Sequence, residues 1–185
     1  TLIWMLAKWW KVDPFQLLAK TFGGSGYDLA CAGAKSAIEF WRDAEKTAHW
    51  KPFTIRAEWV QNTYFVHLNR KQNSREGIKQ YRSKEMDYSI VAELNHITDA
   101  LREILLPRPV EAQTGQIYQP KESNEAAYKQ AQELLDVHEE LVSQFIELPK
   151  VKELYFKDFA GSVKSLGAWG GDFVWVLPDE PERTK

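Results

Sequence analysis

Two glycine-rich strings punctuate this chain near its ends, Gly23-Gly24-Ser25-Gly26 and Gly167-Ala168-Trp169-Gly170-Gly171. Neither can lie inside a helix or strand without losing stability, because glycine has the most backbone freedom to lose on ordering. Each must be a bend between regular elements, and the elements around them carry different periods.

Around the first bend the period is helical. Leu2, Met5, Leu6 and Trp9, flanked by Ile3 and Trp10, recur at steps of three and four and mark the apolar face of a first helix that Thr1 can cap. Asp13-Pro14 starts a second, because aspartate accepts free amide hydrogens and proline lacks a donor where none is needed. This short helix is predicted over Phe15 to Phe22, and Gly23 to Asp28 is predicted to be loop throughout. Small residues at Ala30 to Ala34 lead into a strand around Ile38, Phe40 and Trp41, and Thr47 to Trp59 reads as strand or sheet edge. Tyr64 to Leu68 is the clearest strand and is expected to be buried.

Asn69 to Ser74 is a polar turn, with Ser74 and Glu76 opening a helix. Ile78, Tyr81, Ile90, Leu94, Ile97, Leu101 and Leu105 then trace one long amphipathic helix, or two broken near Asp87, ended by Pro107 and Pro109. Residues 107 to 121 form a connection. A second long helix carries Ala127, Ala131, Leu134, His138, Leu141, Phe145 and Leu148 on its apolar face and closes at Pro149. Ser162 to Leu166 and Phe173 to Leu177 are predicted strands joined by the second bend, and the charged tail from Pro178 is expected to fray. Helices interleaved with paired strands give an α+β layered domain with a mostly antiparallel sheet.

With 185 residues the chain can bury about 70% of its unfolded surface. Lys and Arg number 24 against 26 Asp and Glu, a net charge of −2, so the overall balance attracts neither nucleic acid nor an anionic membrane. Cys31 stands alone, excluding an internal disulfide and a cysteine-rich zinc site, and fits a cytoplasmic setting. His49, His67 and His96 show no metal-ligand spacing, so no metal site of the protein's own is expected. No apolar run approaches the roughly 20 residues of a membrane span, and no secretory signal is evident. A start at Thr1, already inside a helical pattern, reads as a piece of a longer protein.

Glycine lets backbone amides approach and encircle an anion. The common phosphate signatures are absent: there is no GxxxxGK[ST], and Gly24-Ser25-Gly26 does not complete a dinucleotide fingerprint. The string Gly23-Gly24-Ser25-Gly26-Tyr27-Asp28-Leu29-Ala30, taken with Gly161-Ser162-Val163-Lys164-Ser165-Leu166-Gly167-Ala168-Trp169-Gly170-Gly171-Asp172, instead resembles the second half of a GHMP small-molecule kinase, the superfamily of galactokinase, homoserine kinase, mevalonate kinase and phosphomevalonate kinase. More narrowly it is similar to the branch named for its Gly-Tyr-Asp-Ile-Ala motif, with Leu29 in place of isoleucine.

The resemblance implies that residues 1–60 end a nucleotide-binding domain and residues 61–178 form a ferredoxin-like C-terminal domain. It implies ATP and Mg²⁺ as cofactors and a small hydroxyl compound, mevalonate-like or phosphomevalonate-like, as acceptor. Asp28 would orient the attacking hydroxyl or take its proton. Gly24, Ser25, Gly26, Gly167, Ala168, Gly170 and Gly171 would lie against nucleotide or substrate, with Trp169 where the superfamily commonly has glycine. The family's phosphate loop should directly precede Thr1, so the 185 residues alone are expected to be a poor kinase.

Blander readings stand beside these. Asp28 could only cap the next element, and the second bend could be a plain hairpin turn. Lys71, Ser74 and Arg75 surround a helix start and could hold a substrate carboxylate or phosphate, or form a solvated turn. His138 on an apolar stripe is a substrate contact or a core histidine. The alternative function is a non-catalytic binding or interaction module of the same fold. A first helix with exposed apolar residues would favour self-association.

Overall fold

A computed structural model describes residues 2–55, 57–69, 83, 87–105, 124–167 and 173–180. The chain divides into two compact units, Thr1–Arg56 and Ala57–Lys185. It is a mixed α+β chain in which the described strands form one two-stranded and one three-stranded antiparallel sheet.

In the first unit α1 (Leu2–Trp10), α2 (Pro14–Lys20) and α3 (Tyr27–Gly33) precede a hairpin of β1 (Ile38–Arg42) and β2 (Ala48–Pro52). Asp13 caps α2 as its sequence predicts, its Oδ1 accepting from the Gln16 amide at 2.7 Å. Ile3 and Ala7 of α1 and Leu29 and Ala30 of α3 are buried. Gly33 lets the two helices meet, since a Cβ there would stand 2.6 Å from the Trp4 ring. The hairpin pairs Ile38 with Pro52 through Arg42 with Ala48. Phe15 of α2 stacks on Trp50 of β2 with centroids 5.1 Å apart, and Tyr27 of α3 meets Phe40 of β1 edge-on at 5.5 Å. The outer face of α1 is apolar: Leu2, Met5, Trp9 and Trp10 are all exposed.

The second unit opens with a 3₁₀ turn, Glu58–Asn62, then β3 (Tyr64–His67), α4 (Tyr88–Leu105), α5 (Asn124–Ile146), the short α6 (Val151–Tyr155), β4 (Gly161–Leu166) and β5 (Phe173–Pro178). Asp87 begins α4, its Oδ1 accepting from the Ser89 amide at 2.9 Å, so the expected break near Asp87 is a helix start. The sheet order is β3-β5-β4. Val163, Val174 and Val176 pack with Tyr64, Val66 and Val151, while Leu177 and Trp175 join Trp59, Tyr128, Ala131 and Leu135 in a separate cluster. Alternate residues of β5 thus serve two apolar layers.

Three expectations are corrected. β3 is not a buried strand: it lies at the sheet edge, and Phe65 is 69% exposed, lying over Trp175. The buried stripe of α5 runs through Tyr128, Ala131, Leu135 and Glu139, one position on from the predicted Leu134 and His138. Pro178 is not part of a fraying tail but ends β5, fully buried, with its carbonyl accepting from the Tyr128 hydroxyl at 2.6 Å. Among the described residues no helix is long and apolar enough to cross a membrane.

Candidate functional site

The first bend is built by backbone conformation. Gly23, Gly24 and Gly26 have φ of +68°, +110° and +84°, all in the left-handed region where a side chain is strained. Gly23 closes the end of α2 by donating its amide to the Leu18 carbonyl at 2.7 Å. At Gly23 and Gly24 an added Cβ would meet nothing, so conformation alone requires glycine there. Gly26 is under a second constraint, because a Cβ would stand 2.8 Å from the Phe15 ring that Trp50 stacks against.

Gly26 is also the residue that starts α3. Its carbonyl accepts from the Leu29 and Ala30 amides at 3.1 and 3.0 Å, while Ser25 Oγ accepts from the Tyr27 amide at 3.2 Å. The expected loop therefore ends at Gly26, and Asp28 stands in the first helical turn. The glycines supply the reversal, and once Gly26 has turned, Tyr27 onward meets no obstacle to helix. Asp28 is exposed, and its carboxylate beside a helix N-terminus is favourably placed for the macrodipole. One turn on, hydrogen bonding to the Cys31 sulfur stabilises the protonated Tyr27 phenol, and this, with partial burial and the charges of Cys31 and Asp28, raises the phenol's pKa.

The second bend begins at Gly167, which follows β4 with φ of +68° and open space around its Cβ position. Ala168, Gly170 and Gly171 lie outside the described residues, as do Lys71, Ser74 and Arg75. Directly before the bend, the last turn of strand is held from α5. Glu139, 2% exposed, accepts from the Ser165 amide at 3.0 Å, from Ser165 Oγ at 2.9 Å and from Lys164 Nζ at 2.9 Å. Lys164 Nζ also donates to the Ser165 carbonyl at 2.7 Å.

His138 stands next to this network. Burial, and then the Lys164 charge, lower its pKa to about 4, so the imidazole is neutral near neutral pH. Among the described residues its buried Nδ1 has no hydrogen-bond partner. Gly24, Ser25, Gly26 and Asp28 are thus brought together within the first unit, whereas His138 and Gly167 belong to the second.

Glu139, Lys164 and Ser165 are the functional candidates that sequence reasoning passed over. An apolar-stripe reading of α5 discards a glutamate by type, although Glu139 continues the Ala131–Leu135 face at the next four-residue step. Among the described residues no group of three or more His, Cys, Asp or Glu side chains could hold a metal ion. Magnesium carried with a nucleotide requires no such cage, since it keeps water and phosphate oxygens as most of its ligands. Compared with family models, with curated proteins and with solved structures, the chain finds no match.

Proposed function

We propose that this chain belongs to a GHMP-type small-molecule kinase and that it serves transfer of the ATP γ-phosphoryl group to a hydroxyl of a small metabolite. The observation that carries the reading is Asp28. An exposed carboxylate occupies the first turn of α3, directly behind a reversal made of three left-handed glycines, in the order Ser25-Gly26-Tyr27-Asp28 that the superfamily resemblance assigns to its catalytic aspartate. In this reading residues 1–60 end the nucleotide-binding domain, and residues 61–178 are the ferredoxin-like C-terminal domain.

Phosphoryl transfer asks a protein mainly for alignment and charge stabilisation. Bound ATP would supply the phosphoryl group, and its Mg²⁺ would neutralise the phosphate charge. The chain's own part is narrower. Asp28 accepts a hydrogen bond from the acceptor hydroxyl, fixes the direction of its lone pair, and takes the proton as the new P–O bond forms. The resemblance assigns Gly24, Ser25 and Gly26, and separately Gly167, Ala168, Gly170 and Gly171, to contact with nucleotide or substrate. Lys71, Ser74 and Arg75 are assigned to an acidic group of the acceptor. His138, neutral and half-buried, fits a hydrogen-bonding contact with substrate better than an anion clamp.

The test uses the whole gene product with ATP and Mg²⁺ against a panel of small hydroxyl compounds that includes mevalonate, phosphomevalonate, homoserine and hexoses. One acceptor should raise ADP release to a turnover of roughly 1–100 s⁻¹, the ordinary range for kinases. ADP release that no acceptor raises above the acceptor-free rate would contradict the proposal.

A further inference from the structure

The residues that end β4 are held by a side chain from another element. Glu139 of α5 is an acid with 3% side-chain exposure, paired with Lys164, itself 16% exposed. Both carboxylate oxygens are directed at β4: Oε1 accepts from the Ser165 amide and Lys164 Nζ, and Oε2 accepts from Ser165 Oγ. Lys164 closes the ring by donating to the Ser165 carbonyl. The next residue of α5 behaves differently, since the part-buried pair of Glu140 with Lys150 at 2.7 Å ties α5 to the start of α6.

We infer that Glu139 is a positioning residue that fixes the end of β4, and with it the place and direction in which the backbone turns at Gly167. The inference rests on the kinase reading, in which the bend beginning at Gly167 lies against the nucleotide or substrate. A buried ion pair is weak evidence for stability, because apolar residues of similar volume often leave a fold as stable or more so. What this one supplies is geometry. Four hydrogen bonds converge on two consecutive residues, and Ser165 precedes by only two positions the glycine whose φ of +68° starts the reversal. A strand end fixed at amide, carbonyl and side chain resists sliding and rotation, so the chain enters Gly167 in one direction. Supporting groups of this kind matter to a site even where they never touch the ligand.

Kinetics and amide hydrogen exchange on Glu139→Gln and Ser165→Ala test this. Gln keeps the size and one acceptor but loses the charge that holds Lys164, whereas Ala at 165 removes a single hydroxyl bond. For Glu139→Gln, kcat for the acceptor reaction should fall about ten-fold or more with KM for ATP within about two-fold, as expected for misplacement rather than lost binding. Exchange at Ser165, Leu166 and Gly167 should quicken, and Tm should fall by several degrees because Lys164 is left without its charge partner. Ser165→Ala should shift the same readouts in the same direction, by less. Unchanged kcat in both variants overturns the inference, and so does a Glu139→Gln protein that loses kcat and Tm together while a well-folded Ser165→Ala keeps full kcat. Absent turnover in the unsubstituted protein overturns the kinase reading and this inference with it; turnover there that neither variant lowers overturns the inference alone.

Discussion

The bend before α3 and the bend after β4 are both glycine-rich, yet they are held in opposite ways. The first is fixed from within: three residues with positive φ form the reversal, and one of them, Gly26, is pressed against the Phe15 ring. The second follows a strand end fixed from outside, by a buried carboxylate that grips Lys164 and Ser165 of β4, three and two residues ahead of Gly167. Backbone conformation can place an exposed side chain such as Asp28 without burying anything polar. Fixing the end of a strand needs partners for its amide and carbonyl, and here those partners are the side chains of Glu139 and Lys164.

The comparison can be broken most forcefully at the opposite end of β4. Gly161 has φ of +138°, and a Cβ there would collide with the Leu177 carbonyl oxygen and stand 2.7 Å from Pro178 Cα. Both obstacles are backbone. Gly161→Ala should therefore cost about 3–5 kcal/mol, the sum of conformational strain and overpacking, read from denaturant midpoints. Gly26→Ala meets only the edge of one aromatic ring in addition to its strained φ, and should cost about 2 kcal/mol. Gly24→Ala, strained but unobstructed, should cost about 1 kcal/mol, and equal costs at 24 and 26 would refute the part given to Phe15.

The smallest effect is electrostatic. His138 is held to a pKa of about 4 against an ordinary 6.5, so the unfolded chain binds more protons between those values. Stability from this group is complete above pH 6.5 and is lost as pH falls toward about 4. Allowing for its partial exposure, the loss should be on the order of 1 kcal/mol. Thermal melts from pH 4 to 7 should show that slope in the parent protein and a shallower one in His138→Gln.

Much of this contrast was legible in the residues, because it depends on short-range rules. Asp13-Pro14 marks a helix start whatever surrounds it, and the apolar run Phe173 to Leu177 reads as a strand. The helix carrying Asp28 was hidden because glycine density signals only the reversal, and nothing in Gly23-Gly24-Ser25-Gly26 says on which residue it ends. The five residues of Val151–Tyr155 are too few to display a period. Glu139 was hidden for a tertiary reason. Its burial depends on Ser165 and Lys164, 26 and 25 residues away, and an acidic residue on an apolar stripe looks like solvated surface until its partners are placed.

The central claim is that Asp28 acts on the acceptor hydroxyl. The direct measurement is kcat and Tm of Asp28→Asn beside those of the unsubstituted gene product, with the acceptor that the panel identifies. Because Asp28 is exposed, Tm should be unchanged, while kcat falls about 10²–10⁴-fold through loss of the proton acceptor. A well-folded Asp28→Asn protein with kcat within about three-fold of the parent would contradict the account, since a charge that assists the transition state cannot be removed at so small a loss.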